Sequence, residues 1–316
     1  MYTSEELSKL IQQGIADIDY PTLAPHLYDP VRYTLETGGK RLRPTLVLMA
    51  ANLFSDDIRP AITPAVGLEM YHNFTLLHDD VMDKAPDRRG RATVHVKWDD
   101  NTAILSGDAM QALAYRMIAE APAHCLKAVI DLFNTTNIEI GEGQQLDMEF
   151  ETRNDVSAEE YIEMIRLKTS VLLGCALKMG ALIGKADEKS AQTLYDFGID
   201  LGLAFQLQDD WLDCWGDPRT FGKRIGGDIL CAKKTYLRIQ AEKNAPLPNV
   251  TLADGEDAYI EAFKNYYVTS GAEKACREAI ASYAQKAKDD LARLPIPAEK
   301  LAVLTALTDK LENRNR

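Results

Sequence analysis

Hydrophobic residues recur along most of the chain at the spacing of amphipathic helices. Near the start, the apolar positions that share one helix face are Leu7, Leu10, Ile11, Ile15 and Ile18. The most apolar stretch, 171–184, is too short to cross a bilayer and predicts a helix buried in the core. Strict alternation of apolar and polar residues is rare, and the Val/Ile-rich runs typical of a parallel sheet are missing from the sequence. The pattern therefore predicts an all-α protein.

Glycine and proline clusters divide the helical segments, but they do not divide the chain into separate domains. The best candidate for a surface loop is 243–255, and Leu294-Pro-Ile-Pro297 introduces a last helix. There is no repeat of fixed period and no low-complexity linker, so we expect a single domain over residues 1–316. Several helices are apolar on more than one face, which predicts a large core and a homodimer.

Composition narrows the classes of function. The chain has 36 Lys+Arg and 48 Asp+Glu, a formal net charge of −12, which argues against a nucleic-acid partner. Five scattered cysteines without a CxxC pattern favour reduced thiols over disulfides or zinc. The first residues are acidic and no apolar run follows them. We therefore expect a cytoplasmic protein with no signal peptide and no membrane span.

An Asp-Asp-x-x-Asp pattern occurs twice, at 79–83 and at 209–213, each time after an apolar helical segment. Residues four apart share one helix face, so Asp79 pairs with Asp83 and Asp209 with Asp213. Like charges at this spacing destabilise a helix by about 0.2–0.5 kcal/mol on a solvated surface. A divalent cation removes that repulsion, and Mg²⁺ prefers carboxylate oxygens together with substrate phosphates. One copy alone is equally compatible with a solvated acidic face; two copies favour a metal site.

Clusters of cations accompany the acidic pairs in this acidic chain. They lie at 38–44, 87–91, 168, 222–228 and 233–234. Solvated cations paired with nearby acids are the alternative interpretation, and we prefer it for Arg91 and Lys97. We do not prefer it for Arg88 and Arg89, which lie close to the predicted metal site. Cations beside metal-binding carboxylates indicate a diphosphate substrate. The apolar helix before each acidic pair indicates that the rest of the substrate is hydrocarbon, and the absence of GxxxxGK[ST] excludes a P-loop.

The sequence resembles the trans-type isoprenyl diphosphate synthases of the polyprenyl synthetase family. The matching blocks, in the family's order, are GGKRLRP (38–44), LLHDDVMD (76–83), RRG (88–90), GDAM (107–110), GQQLD (143–147), LKT (167–169), FQLQDDWLD (205–213) and GK…GGDI…KK (222–234). They cover about residues 30–240, and beyond 241 the likeness is limited to helical character. The resemblance implies an antiparallel helical bundle around a central apolar cavity, the isoprenoid synthase fold, and usually a homodimer.

The same resemblance implies Mg²⁺-dependent, head-to-tail condensation of isopentenyl diphosphate with an allylic diphosphate. Three Mg²⁺ ions per active site are expected on Asp79, Asp83 and Asp209, with Asp80, Asp210 and Asp213 in outer or water-mediated contact. The expected ligands of the allylic diphosphate are Arg88, Lys168, Lys223 and Lys233. The expected ligands of isopentenyl diphosphate are Lys40, Arg43, His72 and Arg89. Lys168 also counts among the expected catalytic residues, together with Thr169 and Gln206, which line the carbocation.

Product length stays open between C15 and C20 or longer. Phe74 stands at the fifth position before the first acidic pattern, but Thr75 occupies the fourth, where the eukaryotic farnesyl type has a second aromatic. The first pattern also lacks the two-residue insertion of many bacterial farnesyl synthases. The sequence looks most like the archaeal geranylgeranyl type, with Phe74 and then Tyr71 limiting product length; the alternative is that both are core residues.

Two other functions compete with this one. A terpene cyclase also uses DDxxD, but usually lacks GGKR, RRG and a second complete DDxxD, all of which are present. A non-catalytic regulatory subunit of a heteromeric synthase generally loses the acidic patterns, and both are intact here.

Overall fold

The protein is described by a computed structural model that covers residues 2–217 and 225–312. Its first part contains α1 (Ser4–Ala16), α2 (Pro25–Glu36), α3 (Leu42–Phe54), α4 (Arg59–Met82), β1 (Asp87–Arg88), β2 (Arg91–Ala92), α5 (Val94–Lys97) and α6 (Asp100–Ile118). There follow α7 (Leu126–Phe150), α8 (Ala158–Ile165), a π-helical turn (Arg166–Ser170), α9 (Val171–Ile183) and α10 (Glu188–Trp215). The last part contains α11 (Gly227–Leu230), α12 (Tyr236–Asn244), a 3₁₀ turn (Leu252–Asp254), α13 (Glu256–Thr269), α14 (Ala272–Ala292) and α15 (Ala298–Glu312). The prediction of an all-α protein is confirmed.

The chain groups into two compact units. The first unit comprises residues up to Phe133 together with Ala176–Gln192. The second comprises Asn134–Cys175 and the described residues from Thr193 onward. The expectation of one domain over residues 1–316 stays a prediction.

The core of the first unit is built on helices that are apolar nearly all round. In α3, every residue from Pro44 to Leu53 is buried, and α4 packs against both α3 and α6. A helix as apolar as α3 is stable only when all its sides are covered, so α3 occupies the interior. This packing fixes the C-terminal end of α4, where the first acidic pattern lies.

A short β-hairpin follows α4. Its two strands pair antiparallel, with Asp87 opposite Ala92 and Arg88 opposite Arg91. The turn residues Arg89 and Gly90 have φ of 54° and 73°, as a two-residue turn between right-twisted strands requires. The hairpin therefore turns within the arginine cluster itself.

The second unit contains long stretches of α7 and α10 and the C-terminal helices. α12 packs against α14, and α14 packs against α15. The predicted core helix at 171–184 corresponds to α9, most of which is buried. The helix predicted after Pro297 is α15. Of the helices described, none combines the length and hydropathy needed to cross a bilayer.

Candidate active site

The first acidic pattern lies at the C-terminal end of α4. Asp79 is half-buried, Asp80 is buried and Asp83 is exposed. The backbone N–H of Asp83 donates to the carbonyl of Asp79 over 2.8 Å, which closes the last turn. A helix C-terminus carries roughly half a negative charge, so three carboxylates there repel the helix dipole as well as one another. This helix end is therefore a site that attracts cations.

One of these carboxylates already has a cation. Nε and Nη2 of Arg88 each lie 2.8 Å from Oδ1 of Asp80. The side chain of Asp80 is only 8% exposed, against 36% for Arg88. Asp80 therefore anchors the hairpin, whereas Asp79 and Asp83 stand one turn apart on a neighbouring face of α4.

The second hairpin arginine has a different partner. Nη1 of Arg89 donates to the carbonyl of Gly38, in the glycine turn that precedes α3. Adjacent arginines thus connect the hairpin to two elements, the end of α4 and the glycine turn. A pocket of about 30 Å³ lies against α2, the end of α4 and the hairpin. Its lining includes Asp80, Arg88, Arg89, Asn73 and Tyr33.

Arg43 and His72 form a second pair of predicted substrate-binding residues in the first unit. Nη1 of Arg43 lies 3.1 Å from Nε2 of His72. Burial, with the charges of Arg43 and Arg89 next, holds the pKa of His72 well below its ordinary value, so the imidazole is neutral and accepts from Arg43. Burial and the charge of Arg89 lower the pKa of Arg43 to about 10, even though the carboxylate of Glu69 opposes the shift. Its Nε is buried without a hydrogen-bond partner. An anionic ligand would supply what this arginine lacks. Lys40, also expected here, is exposed on the same turn.

Phe74 and Tyr71 belong to an aromatic cluster on α4. Their ring centroids lie 5.5 Å apart, and that of Phe74 lies 4.7 Å from His78. Tyr71 is 1% exposed and meets Phe133 edge to face at 4.9 Å. Phe133, which the sequence patterns did not single out, therefore belongs to the wall behind Tyr71.

The second acidic pattern lies in the last two turns of α10, and hydrogen bonds hold two of its aspartates, Asp210 and Asp213. The hydroxyl of Tyr161 donates to Asp210, and Nε2 of Gln206 donates to it over 3.3 Å. Burial and the charge of Asp228 raise the pKa of Asp210 to about 7. Oδ2 of Asp213 accepts the backbone N–H of Asp228 at 3.1 Å. The side chains of Asp210 and Asp213 are buried, whereas that of Asp209 is half-buried.

Lys168 and Thr169 lie in the π-helical turn between α8 and α9, where one extra residue per turn changes the direction of their side chains. Nζ of Lys168 donates to Oδ2 of Asp147 at 2.6 Å. Burial opposes ionisation of Asp147, yet the charges of Lys233 and Lys168 outweigh it and lower the pKa of Asp147. Asp147 stands in the block GQQLD, but nothing in its spacing assigns it a role.

Glycine makes this arrangement possible. A Cβ on Gly143 of α7 would lie 2.4 Å from the backbone nitrogen of Lys168, and a Cβ on Gly202 of α10 would lie 2.7 Å from Ser170. The π-helical turn is therefore held between two backbones that approach closely. Lys233 is exposed, and Lys223 lies outside the described residues.

The predicted site residues thus fall into two groups. The first unit brings together the first acidic pattern, the hairpin arginines and the Arg43–His72 pair. The second unit brings together Lys168, Gln206 and the second acidic pattern. Within the described parts of the chain, no three His, Cys, Asp or Glu side chains gather in an arrangement that could hold a metal ion.

An all-α fold with these two acidic helix ends defines a class of protein, and comparison with known proteins identifies it. The chain belongs to the polyprenyl synthetase family, whose sequence model matches residues 24–254. The resemblance to trans-type isoprenyl diphosphate synthases is thereby confirmed, and the protein is a prenyltransferase.

Particular relatives are similar over most of their length. A geranylgeranyl diphosphate synthase of Methanosarcina mazei is 38% identical over 84% of this chain and 88% of its own. A geranylfarnesyl diphosphate synthase of Natronomonas pharaonis is 34% identical over 98% and 96%. A crystal structure of a geranylgeranyl pyrophosphate synthase superposes with a TM-score of 0.93 at 45% identity, covering 100% of both chains.

Proposed function

We propose that the protein condenses isopentenyl diphosphate head to tail with an allylic diphosphate, giving a C15–C20 trans-prenyl diphosphate and pyrophosphate. The observation that carries this proposal is the pair of acidic patterns at the C-terminal ends of α4 and α10, each in a unit that also holds cations. Carboxylates at a negative helix pole next to arginine and lysine suit a ligand that brings both metal ions and phosphates. Membership of the family supports the same reaction.

The donor chemistry fits Mg²⁺. Asp79 and Asp83, one turn apart at the end of α4, would hold it there, because they present hard carboxylate oxygens and Asp80 is already paired with Arg88. Asp209 presents the same kind of oxygen at the end of α10, and its assignment as a metal ligand rests on the family resemblance. The number of three ions per site rests on the family resemblance alone. When bound, Mg²⁺ neutralises the charge that the departing diphosphate acquires.

The chain's own cations do the rest of the binding. By the family resemblance, the ligands of the allylic diphosphate are Arg88, Lys168, Lys223 and Lys233, and their charges stabilise it as the allylic C–O bond breaks. The alkene of isopentenyl diphosphate then forms the new C–C bond, and the leaving pyrophosphate removes the proton. By the family resemblance, Thr169 and Gln206 line the carbocation. No protein base is required.

Isopentenyl diphosphate is bound by Lys40, Arg43, His72 and Arg89. The buried, unpartnered Nε of Arg43 supports this assignment, as does a neutral His72 that adds no charge of its own. Because Arg88 and Arg89 point to different elements, they serve different diphosphates. Arg89→Lys is expected to raise mainly the KM for isopentenyl diphosphate, and Arg88→Lys mainly that for the allylic substrate. Identical profiles of the two variants would contradict the division.

The decisive assay uses the purified chain alone with geranyl or farnesyl diphosphate, isopentenyl diphosphate and Mg²⁺, followed by chromatography of the products. We expect C15–C20 diphosphates from wild type, and at least a hundredfold loss in Asp79→Asn and Asp209→Asn. Asp131→Asn is the matched control, since its partner Lys127 forms an exposed pair on α7. Wild type inactive alone would indicate a regulatory subunit, and a cyclic hydrocarbon would indicate a terpene cyclase.

Product length depends on Phe74 in this proposal. One helical turn rises about 5.4 Å, comparable to one isoprene unit, so removing the half-buried Phe74 ring extends the cavity by about one C5 unit. Tyr71, one turn earlier, then becomes the next barrier. Phe74→Ala is expected to lengthen products by C5 and Phe74→Ala with Tyr71→Ala to lengthen them further. Unchanged products in both variants would place the barrier on another helix.

We also infer a homodimer in the cytoplasm. On α6, the adjacent residues Ile104 and Leu105 are 45% and 60% exposed, and Ile138 on α7 is 63% exposed. Apolar side chains on the outer face of a helix suit a second copy of the chain. The five cysteines are free thiols, which suits a reducing compartment. Sedimentation of an active monomer at micromolar concentration would contradict the dimer.

A further inference from the structure

We propose that Tyr33 on α2 is a positioning residue. It holds the β1–β2 hairpin, and with it Arg88 and Arg89, beside the pocket that these two arginines line. The inference rests on the proposed function for its kinetic consequence, but the contact itself is independent of that function. Tyr33 stands outside every sequence block that identifies the family, the first of which begins at residue 38.

Tyr33 binds the hairpin through its hydroxyl group. That hydroxyl donates to the carbonyl of Ala92 on β2 over 2.8 Å, across 59 residues of sequence. Ala92 is paired with Asp87 across the hairpin. The hydrogen bond therefore joins α2 to β2, whereas Arg88 lies on the other strand, β1.

The ring of Tyr33 binds the same segment a second time. The guanidinium carbon of Arg91 lies 4.1 Å from the ring centroid, and Nζ of Lys97 lies 3.8 Å from it. The ring of Trp98 meets it edge to face at 5.3 Å. Both cations lie well within the 6 Å range of a cation–π interaction. The interpretation of Arg91 and Lys97 as solvated cations did not include this aromatic partner.

The hairpin needs such an anchor. Each strand has only two residues, and an isolated two-stranded hairpin is marginally stable in water. Its turn is strained as well, because Arg89 is a non-glycine residue with φ of 54°. Tyr33 is attached to the end of the hairpin that rejoins the helices, while Arg88 and Arg89 bind Asp80 and Gly38.

The pocket connects these contacts to the site. Tyr33, Ala92, Arg88 and Arg89 all line the same pocket. A hairpin that moved away from α2 would widen this pocket and would carry both arginines off the positions in which they meet a diphosphate. Diphosphate binding should then weaken, whereas the reacting groups that the hairpin does not carry stay in place.

Two variants test this inference. Tyr33→Phe removes the hydrogen bond and keeps the ring, and Tyr33→Leu removes both contacts. We expect the KM for isopentenyl diphosphate to rise about threefold in Tyr33→Phe and about tenfold in Tyr33→Leu, with kcat changed less than twofold. Tyr20→Leu is the matched control, because Arg32 lies over the Tyr20 ring at 4.4 Å but no hairpin residue does.

A second readout does not depend on turnover. Trypsin cleaves after arginine, and the hairpin offers Arg88, Arg89 and Arg91. We expect faster cleavage there in Tyr33→Leu than in wild type or Tyr20→Leu, and protection by inorganic pyrophosphate with Mg²⁺. Unchanged cleavage together with unchanged KM in both Tyr33 variants would overturn the inference. So would a fall in kcat at constant KM, or an equal effect of Tyr20→Leu. An inactive wild type with Tyr33-dependent cleavage would reject the proposed function and leave the anchor standing.

Discussion

Replacing Glu69 by leucine is expected to destabilise the protein strongly, because Glu69 is the counter-ion of a buried arginine. Nη1 of Arg41 donates to Oε1 of Glu69 at 2.6 Å, and the two side chains are 8% and 5% exposed. Nδ2 of Asn73 donates to the same oxygen at 2.9 Å. Arg41 also donates to the carbonyl of Leu35. The leucine would leave a guanidinium buried without its charge partner.

The loss of stability in Glu69→Leu depends on the hydrogen bonds that Arg41 and Asn73 retain. Removing one partner of a buried ion pair costs about 3–5 kcal/mol. Arg41 keeps the Leu35 carbonyl and Asn73 keeps the Glu69 carbonyl at 2.8 Å, so we expect the lower end, about 3 kcal/mol. With a urea m-value of about 3 kcal/mol/M, the midpoint of unfolding falls by about 1 M.

The matched test is a double-variant cycle followed by urea unfolding. Arg41→Met with Glu69→Leu removes both charges and should recover most of the loss, because apolar replacement of a buried pair is often neutral. Arg41 has φ of 46°, and methionine bears the same backbone strain there. Glu5→Leu, which breaks an exposed pair with Lys9, should change stability by less than about 1 kcal/mol. A double variant no more stable than Glu69→Leu would refute the reasoning.

Two further predictions concern the second unit. Gly143→Ala should force the π-helical turn away from its position at Lys168, lowering stability by about 1–3 kcal/mol and kcat by more than tenfold in the condensation assay. Gly141→Ala on the same helix meets nothing within 4 Å and should instead raise Tm slightly; equal effects of the two variants would contradict the close approach. Burial and the neighbouring Asp290 raise the pKa of Asp200 from 3.8 to about 6. The contribution of Asp200 to folding stability is therefore fully present below about pH 4, where the carboxyl is protonated in both states, and is lost as pH rises through 6. Asp200→Asn should therefore be more stable than wild type at pH 7.5, by about 1–3 kcal/mol after allowance for partial exposure. This difference should vanish below about pH 4 in chemical unfolding; a difference independent of pH would reject the assignment.

The sequence predicts the helices and the acidic helix ends well because both depend on local spacing. Apolar periodicity needs no distant partner, and an Asp at i and i+4 shares a face in any helix. The local pattern was accordingly sufficient to place the aspartates near the ends of two helices, α4, which ends at Met82, and α10, which ends at Trp215. The hairpin, the π-helical turn and the bounds of α12 depend on packing and were not predicted.

The sequence could not distinguish the roles of residues of the same type within one short block. In GGKRLRP, three cations stand within four positions, yet Arg41 is buried against Glu69, 28 residues away, while Lys40 is exposed. Asp147 acquires its role from Lys168, 21 residues away. Tyr33 acquires its role from a carbonyl 59 residues away. Long-range partners of this kind leave no periodic trace in one sequence.

The two acidic patterns have the same spacing of aspartates, but the surroundings of those aspartates differ. In each copy the middle aspartate is buried and bound within its own unit, Asp80 by Arg88 and Asp210 by Tyr161. The last aspartate separates the copies, because Asp83 is exposed whereas Asp213 is buried and accepts the backbone N–H of Asp228. A buried carboxylate that already accepts a hydrogen bond has less capacity to bind a hydrated cation. The first copy is therefore suited to present two carboxylates and the second copy one, which is the asymmetry we propose for the metal ligands.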